Sequence, residues 1–504
     1  MNKKMNRDSR KINMKRSTSL IAIALSTLLL NSCADPAENT EDHAASDHEL
    51  AAAEIPQVQE VNPQEIEIAL GSAVKRLCSS VLVSGRSQQH VMSTELSSPA
   101  LAGMSFTISD NIVSGSSGEQ TVQALFRPHL GCTLIKNTSA QSLMVQFDAT
   151  KYPLSTLSSE ARWPLGDRVE LPTEAEASAQ GVDLPAVQAA LALAFEDMEP
   201  NQNIGTRAVL VIHKGRIIAE QYAEPFHAGM PQLGWSMTKT VTAVLAGMLA
   251  GDGLLHIDVP AAVSEWQAAN DPRSKITLNN LLQMSSGLEF SEVYTANSMS
   301  DVILMLYTTG NTAAYTVDKP LEYEPDSHWS YASGTTNIIA RIQRQLFDNY
   351  QSYFNYPKER LFNKLAMNSA VLEPDASGTF VGSSYMYATP RDWAKIGLLY
   401  MQDGIWNGER MLPEGWVEYS LTPARAAPGG NYGAQIWLNA GDEGDPESRP
   451  MPNLPANAYY LSGFEGQNIV MLPDQELIVM RMGVTTSGPR PIWALTQAVL
   501  KAVD

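Results

Sequence analysis

Ser236 and Lys239 stand three residues apart at the head of a long apolar stretch. A serine hydroxyl is a weak nucleophile until a neighbouring base takes its proton, and a lysine amine can be that base only when neutral. Burial and the positive end of a helix both lower a lysine pKa. On a helix, a spacing of three turns the two side chains to the same side, so Ser236 as nucleophile and Lys239 as base form a coherent acyl-transfer pair. The spacing alone carries little, because about one Ser-x-x-Lys is expected by chance in a chain this long. Two later groups of residues bear on it. One is Trp329, Ser330, Tyr331, Ala332 and Ser333; the other is Gly463, Phe464, Glu465, Gly466 and Gln467.

The pair needs a rigid element beneath it. Met237, Val241, Val244, Leu245, Met248 and Leu249 recur at helical spacing, and Ala243, Ala246, Gly247 and Ala250 fill the other faces with small residues, up to Gly251 and Gly253. A helix with so little polar surface belongs inside a domain. Around it, Asp183 and Pro185 open a helix to Phe195, and runs 208–213 and 216–219 flank His213, Lys214 and Gly215 as a β-hairpin. Helical patterns follow at 277–284, 336–347 and 389–401, the last with Thr389 as cap. Strand runs 468–472 and 476–481 turn at Pro473 and Asp474. Strands, a helical middle and strands again predict an α/β fold of the α+β type: one antiparallel sheet built from both ends of the domain, flanked by helices, with a helical subdomain inserted.

With Ser236 and Lys239 first, Tyr331 next and the Gly463–Gln467 segment last, residues 175–500 resemble the serine β-lactamase and penicillin-binding protein superfamily. Residues 276–288 and 387–393 point to its class C-related branch, with family VIII esterases and 6-aminohexanoate-dimer hydrolases. The resemblance implies that Tyr331 shuttles protons with Lys239, and that backbone N–H groups of Ser236 and Gln467 hold the oxyanion. That second donor requires Phe464, Glu465 and Gly466 to fill the place of the superfamily's Lys-Thr-Gly; a register on Ser462, Gly463 and Phe464 is the alternative. Ser333 stands where the superfamily has asparagine, and Phe464 where it has the lysine or histidine that supports recognition of a β-lactam carboxylate. Phe464, Glu465 and Gly466 would therefore line a substrate site with Ser333, and loss of the cation disfavours anionic penicillins. The implied activity is hydrolysis of a small-molecule carboxylic ester or linear amide without cofactor. β-Lactamase or D,D-peptidase action is the alternative, and a non-catalytic sensor on the same scaffold a third reading.

Trp235, Tyr385, Tyr387, Tyr432 and Trp437 form either an aromatic cleft or core packing. His213, His256 and His328 have structural roles as their simplest reading. No Gly-x-Ser-x-Gly elbow, clustered metal ligands or phosphate-binding glycine loop occurs, so no metal is expected.

Residues 1–33 combine seven basic side chains with a short apolar run ending at Cys33, which reads as an export signal. It resembles the lipobox of bacterial lipoproteins, implying acylation of Cys33 and a lipid anchor on the periplasmic side of the bacterial cell envelope. A plain cleaved signal is the alternative, and Met14 offers a second start. Without these residues, 28 Lys+Arg face 53 Asp+Glu, a net charge of −25, which disfavours nucleic acid as a partner. Residues 34–63 read as a flexible acidic tether, in which Asp42-His43 and Asp47-His48 are solvated spacers in preference to metal ligands. Residues 64–170 form a small α+β unit, with a helix over 64–78 and β-like runs at 81–84, 105–109, 121–126 and 133–135. Residues 175–504 form the hydrolase domain. In an oxidising compartment Cys78 and Cys132 are expected as a disulfide, with two buried free thiols the alternative. Oligomeric state is not legible.

Overall fold

The computed structural model of the chain describes residues 62–157, 159–196, 204–294, 299–486 and 490–503, all within one compact unit, Glu60–Asp504. The expected export signal with Cys33, and the tether up to residue 61, lie outside the described residues.

The central sheet has six antiparallel strands in the order Trp437–Leu438, Tyr459–Gly463, Gln467–Leu472, Leu477–Thr485, Ile204–His213 and Arg216–Tyr222. Its middle joins the two ends of the domain, because Leu477 pairs with His213 and the register runs on to Thr485 opposite Ile204. Successive side chains on a strand face opposite ways. Ala208, Leu210, Ile212, Ile478 and Met480 point into the core that holds the Thr238–Gly251 and Pro390–Met401 helices. Val209, Val211, Val470 and Val479 point the other way, onto Leu184–Leu193 and Pro491–Leu500. Helices on both faces explain why these strands read as unbroken apolar runs instead of alternating ones.

Local chemistry sets the helix starts. Asp183 accepts from Ala186 N, and Thr389 accepts from Asp392 N with Pro390 at the first position. Thr277 and Asn280 cap each other reciprocally at the head of Leu278–Leu282. Thr238–Gly251 is buried from Thr238 through Leu249, and a Cβ on Gly247 would come within 2.5 Å of the Trp416 ring, so only glycine allows that approach.

The amino-terminal region differs from expectation at two places. The predicted strand over 81–84 is instead the end of a helix, Pro63–Leu82. Leu77 and Val81 continue its apolar face, and no breaker occurs before Gly85, whose φ is +72°. A strand that the sequence hides, Ile112–Ser117, pairs with Ser105–Ser109 on one side and Gln120–Arg127 on the other. Its Gly115, Ser116 and Ser117 read as a loop, but a Cβ on Gly115 would come within 2.6 Å of Val74. Gly131–Leu134 completes this four-stranded antiparallel sheet, and the Cys78–Cys132 disulfide is formed, with Cα atoms 6.1 Å apart. It fastens the first helix to the last strand.

Candidate active site

The nucleophile stands just ahead of its helix. Trp235–Met237 is a single 3-10 turn and the α-helix begins at Thr238, so Ser236 is not inside the α-helical first turn that the spacing predicts. The tighter turn still stacks positions three apart, and Lys239 Nζ lies 3.0 Å from Ser236 Oγ. Trp235 is held at φ +47°, a left-handed conformation unfavourable for a bulky residue. Trp235 Nε1 donates to Glu465 Oε2 at 3.3 Å, and its ring meets Tyr385 and Phe464.

Lys239 is buried, and its amine is held from three directions. Besides Ser236 it donates to Ser333 Oγ at 2.9 Å and to the Ser383 carbonyl at 3.1 Å. Ser333 Oγ in turn donates to Glu292 Oε1 at 2.5 Å, so a hydroxyl lone pair faces the amine. In the neutral form, two N–H bonds can go to Ser333 and Ser383, leaving the nitrogen lone pair toward Ser236. Burial lowers the Lys239 pKa to about 8, against the opposing pull of the Glu292 charge. The Tyr331 side chain is close enough to Ser236 for the serine to oppose the effect of burial on its hydroxyl, and its ring lies 4.8 Å from Lys239 Nζ. Burial raises the Tyr331 pKa well above its usual range, with the Glu292 charge adding to the effect. Tyr331 therefore stays protonated, and of the two Lys239 is the group able to accept a proton.

Sequence reasoning missed Glu292. Its carboxylate accepts from Ser333 N at 2.8 Å, at the N-terminus of the Ser333–Arg344 helix, and from the Tyr294 hydroxyl at 3.0 Å. An anion is stabilised there by the unpaired N–H groups and the helix dipole. Glu292 lies 41 residues before Ser333, in a segment without a local motif. Ser333 was placed in the site, but its role is to link Glu292 to Lys239.

The late segment is arranged differently from the register that puts Phe464, Glu465 and Gly466 on a strand. These three residues form the turn between Gly463 and Gln467, with Glu465 at φ +63° and Gly466 at φ +84°. The strand end beside the nucleophile is Gly463, where an added Cβ would come within 2.2 Å of the Gly234 carbonyl. Gln467 begins the next strand away, and its side chain bonds the bulged edge at Gly483, accepting from Gly483 N at 3.0 Å. The geometry therefore favours the alternative register, ending at Phe464. Gly466 is a turn glycine whose carbonyl accepts from Arg481 Nη1 at 2.9 Å. Glu465 turns toward the first helix, 3.0 Å from Arg76 Nη1. Phe464, 36% exposed, stacks on Tyr294 with centroids 4.7 Å apart, and in this register Ser462 takes the place of the superfamily's lysine or histidine, its Oγ accepting from Arg490 Nη1 at 3.2 Å.

Of the aromatic candidates, Tyr432 and Trp437 gather around Tyr331, Trp437 stacking at 5.3 Å. Tyr385 and Tyr387 are buried behind Trp235. His328 is exposed and stacks on Tyr323, and His213 is buried at a strand end.

A family model described as Beta-lactamase matches residues 186–497. The 6-aminohexanoate-dimer hydrolase of Paenarthrobacter ureafaciens is 23% identical over 358 residues, which span 66% of this chain and 86% of that protein. Among solved structures, EstCE1, described as a hydrolase with promiscuous acyltransferase activity, superposes with a TM-score of 0.50 at 13% identity, covering 63% of this chain and 99% of its own. A penicillin-binding protein from Bacillus halodurans gives a TM-score of 0.46 at 16% identity over 62% of this chain and 99% of its own.

Proposed function

The chain belongs to the β-lactamase family, and on that footing we propose that it is a serine hydrolase cleaving a carboxylic ester or linear amide through an acyl-Ser236 intermediate. The observation that carries this reading is the 3.0 Å contact of Ser236 Oγ with a buried Lys239 whose pKa is lowered to about 8. Lys239 takes the Ser236 proton as the hydroxyl attacks the substrate carbonyl; Tyr331 passes a proton to the leaving group, and water then attacks the acyl-enzyme. Backbone N–H groups of Ser236 and Phe464, the latter in place of Gln467, are assigned to the oxyanion. The 6-aminohexanoate-dimer hydrolase relative supports a linear amide among the substrates. The exposed Phe464 ring, with Ser462 in the place of the superfamily's lysine or histidine, supports an uncharged or weakly charged acyl group over an anionic penicillin. Acylation at Cys33 would hold the enzyme on the periplasmic side of a bacterial envelope membrane.

A fluorophosphonate probe tests the chemistry: wild type should label and Ser236→Ala should not. Failure of wild type to label would return the chain to the class of non-catalytic sensors. A panel of p-nitrophenyl esters, aminohexanoate oligomers and nitrocefin tests the substrate class, and nitrocefin turned over faster than every ester and amide would reverse the reading of Phe464. For the anchor, Cys33→Ser should move the protein out of the membrane fraction; unchanged partitioning would refute acylation there.

A further inference from the structure

Against Trp235 lies a cavity of about 20 Å3 lined also by Arg76, Arg86, Glu95, Arg207, Gln232 and Glu465. Its ion pairs do not balance. Arg207 Nη2 lies 2.7 Å from Glu95 Oε1, Arg86 pairs with the same carboxylate, and Arg76 Nη1 lies 3.0 Å from Glu465 Oε1. Arg481, its pKa lowered by burial and further by the nearby Arg207, adds a fourth guanidinium. It donates to Thr206 Oγ1 at 3.0 Å and to Gly466 O at 2.9 Å. Among the described residues, four cations thus share two carboxylates, and a buried excess of charge is costly unless something neutralises it.

The unsatisfied groups point the same way. Arg86 Nε, Arg481 Nη2 and both amide atoms of Gln232 are buried with no hydrogen-bond partner among the described residues. Arg86 is 5% exposed and Gln232 4%, and both line the cavity. Most of these are N–H donors. Phe226 also lines the cavity, its ring 5.2 Å from the Arg86 guanidinium and 4.7 Å from that of Arg207. A space of this size has room for one or very few water-sized particles, which suits a small anion better than sulfate, phosphate or a carboxylate. Water would satisfy the donors but leave the positive excess, whereas a small anion does both.

We propose that this cavity is a binding site for one monovalent, monatomic anion, chloride in ordinary solutions, which locks the arginine cluster behind the nucleophile turn. Trp235 is tied to that cluster through Glu465 and lies 5.5 Å from the Arg76 guanidinium. The test is independent of catalysis. Crystals of the protein soaked in sodium bromide should show one anomalous peak in the cavity. The melting temperature should rise by a few degrees, and saturate, when sodium chloride replaces sodium gluconate at equal ionic strength, because gluconate is too large to enter. Gln232→Glu supplies a carboxylate of the chain's own and should abolish both the peak and the chloride dependence. If that variant does not fold, Arg86→Gln, which removes one cation, should weaken bromide occupancy at least tenfold. A cavity holding only water in bromide-soaked crystals, with equal melting in the two salts, would overturn the proposal.

Discussion

Lys239 is set between two opposing influences, and a single substitution separates them. Burial holds its pKa at about 8, while the Glu292 charge, relayed through Ser333, acts to raise it. The base is competent when neutral, so kcat/KM should climb with pH through this region. Glu292→Gln removes the raising influence, so the rising limb should move to lower pH. A pH–rate profile of the variant on a p-nitrophenyl ester checks this, and an unmoved limb would show that Glu292 does not act on the base. Tyr331→Phe should lower kcat by about 10²- to 10⁴-fold without shifting that limb, because Tyr331 stays protonated across it. Ser236, Lys239 and Tyr331 were legible in the sequence because two lie one turn apart and the third stands in an ordered motif. Glu292 was not, because its contacts are made across a loop that only the folded chain closes. The register of the late segment was ambiguous for a different reason. Both readings contain a glycine, and only the three-residue turn decides which one faces Gly234.

Legibility among the elements follows burial. Trp437–Leu438 and Tyr459–Gly463 do not stand out in the sequence, whereas the other four strands of the six-stranded sheet could be read as unbroken apolar runs, and the main helices from the helical period of their apolar positions. The strand Ile112–Ser117 could not, because it contributes Val113 and little else to a core. Such a lightly packed sheet gains from a covalent tie. The Cys78–Cys132 bridge closes a loop with a sequence separation of 54, for which loop-closure entropy predicts a stabilisation of about 4 kcal/mol. A Cys78→Ser/Cys132→Ser double variant should therefore unfold at a markedly lower urea midpoint, with its slope little changed. An unchanged midpoint would mean that the helix Pro63–Leu82 is secured by packing alone. Non-covalent support is substantial, since Leu70, Val74 and Leu77 share one buried cluster with Trp235, Phe290 and Val302.

At the scale of the molecule, the amino-terminal helix and sheet are joined to the family body through buried charge. Lys75 pairs with Glu373, and both are buried. Glu373 also accepts from Ser79 Oγ at 2.8 Å and from Cys132 N at 2.6 Å, while Lys75 Nζ lies 4.2 Å from the Tyr385 ring centre. Removing one partner of a buried pair strands the other, which costs about 3–5 kcal/mol. Lys75→Met should destabilise the whole protein by that order, and Glu373→Gln added to it should recover part of the loss, because the amide keeps an acceptor for Ser79 and Cys132 without a stranded charge. Since the pair bridges the two regions, far-UV circular dichroism and tryptophan fluorescence should report one coincident urea transition in wild type, although chains of this length often unfold in stages. In Lys75→Met both probes should shift together. A fluorescence transition that stayed in place while the dichroism split would show that the amino-terminal region folds independently and that the Lys75–Glu373 pair does not couple it to the hydrolase body.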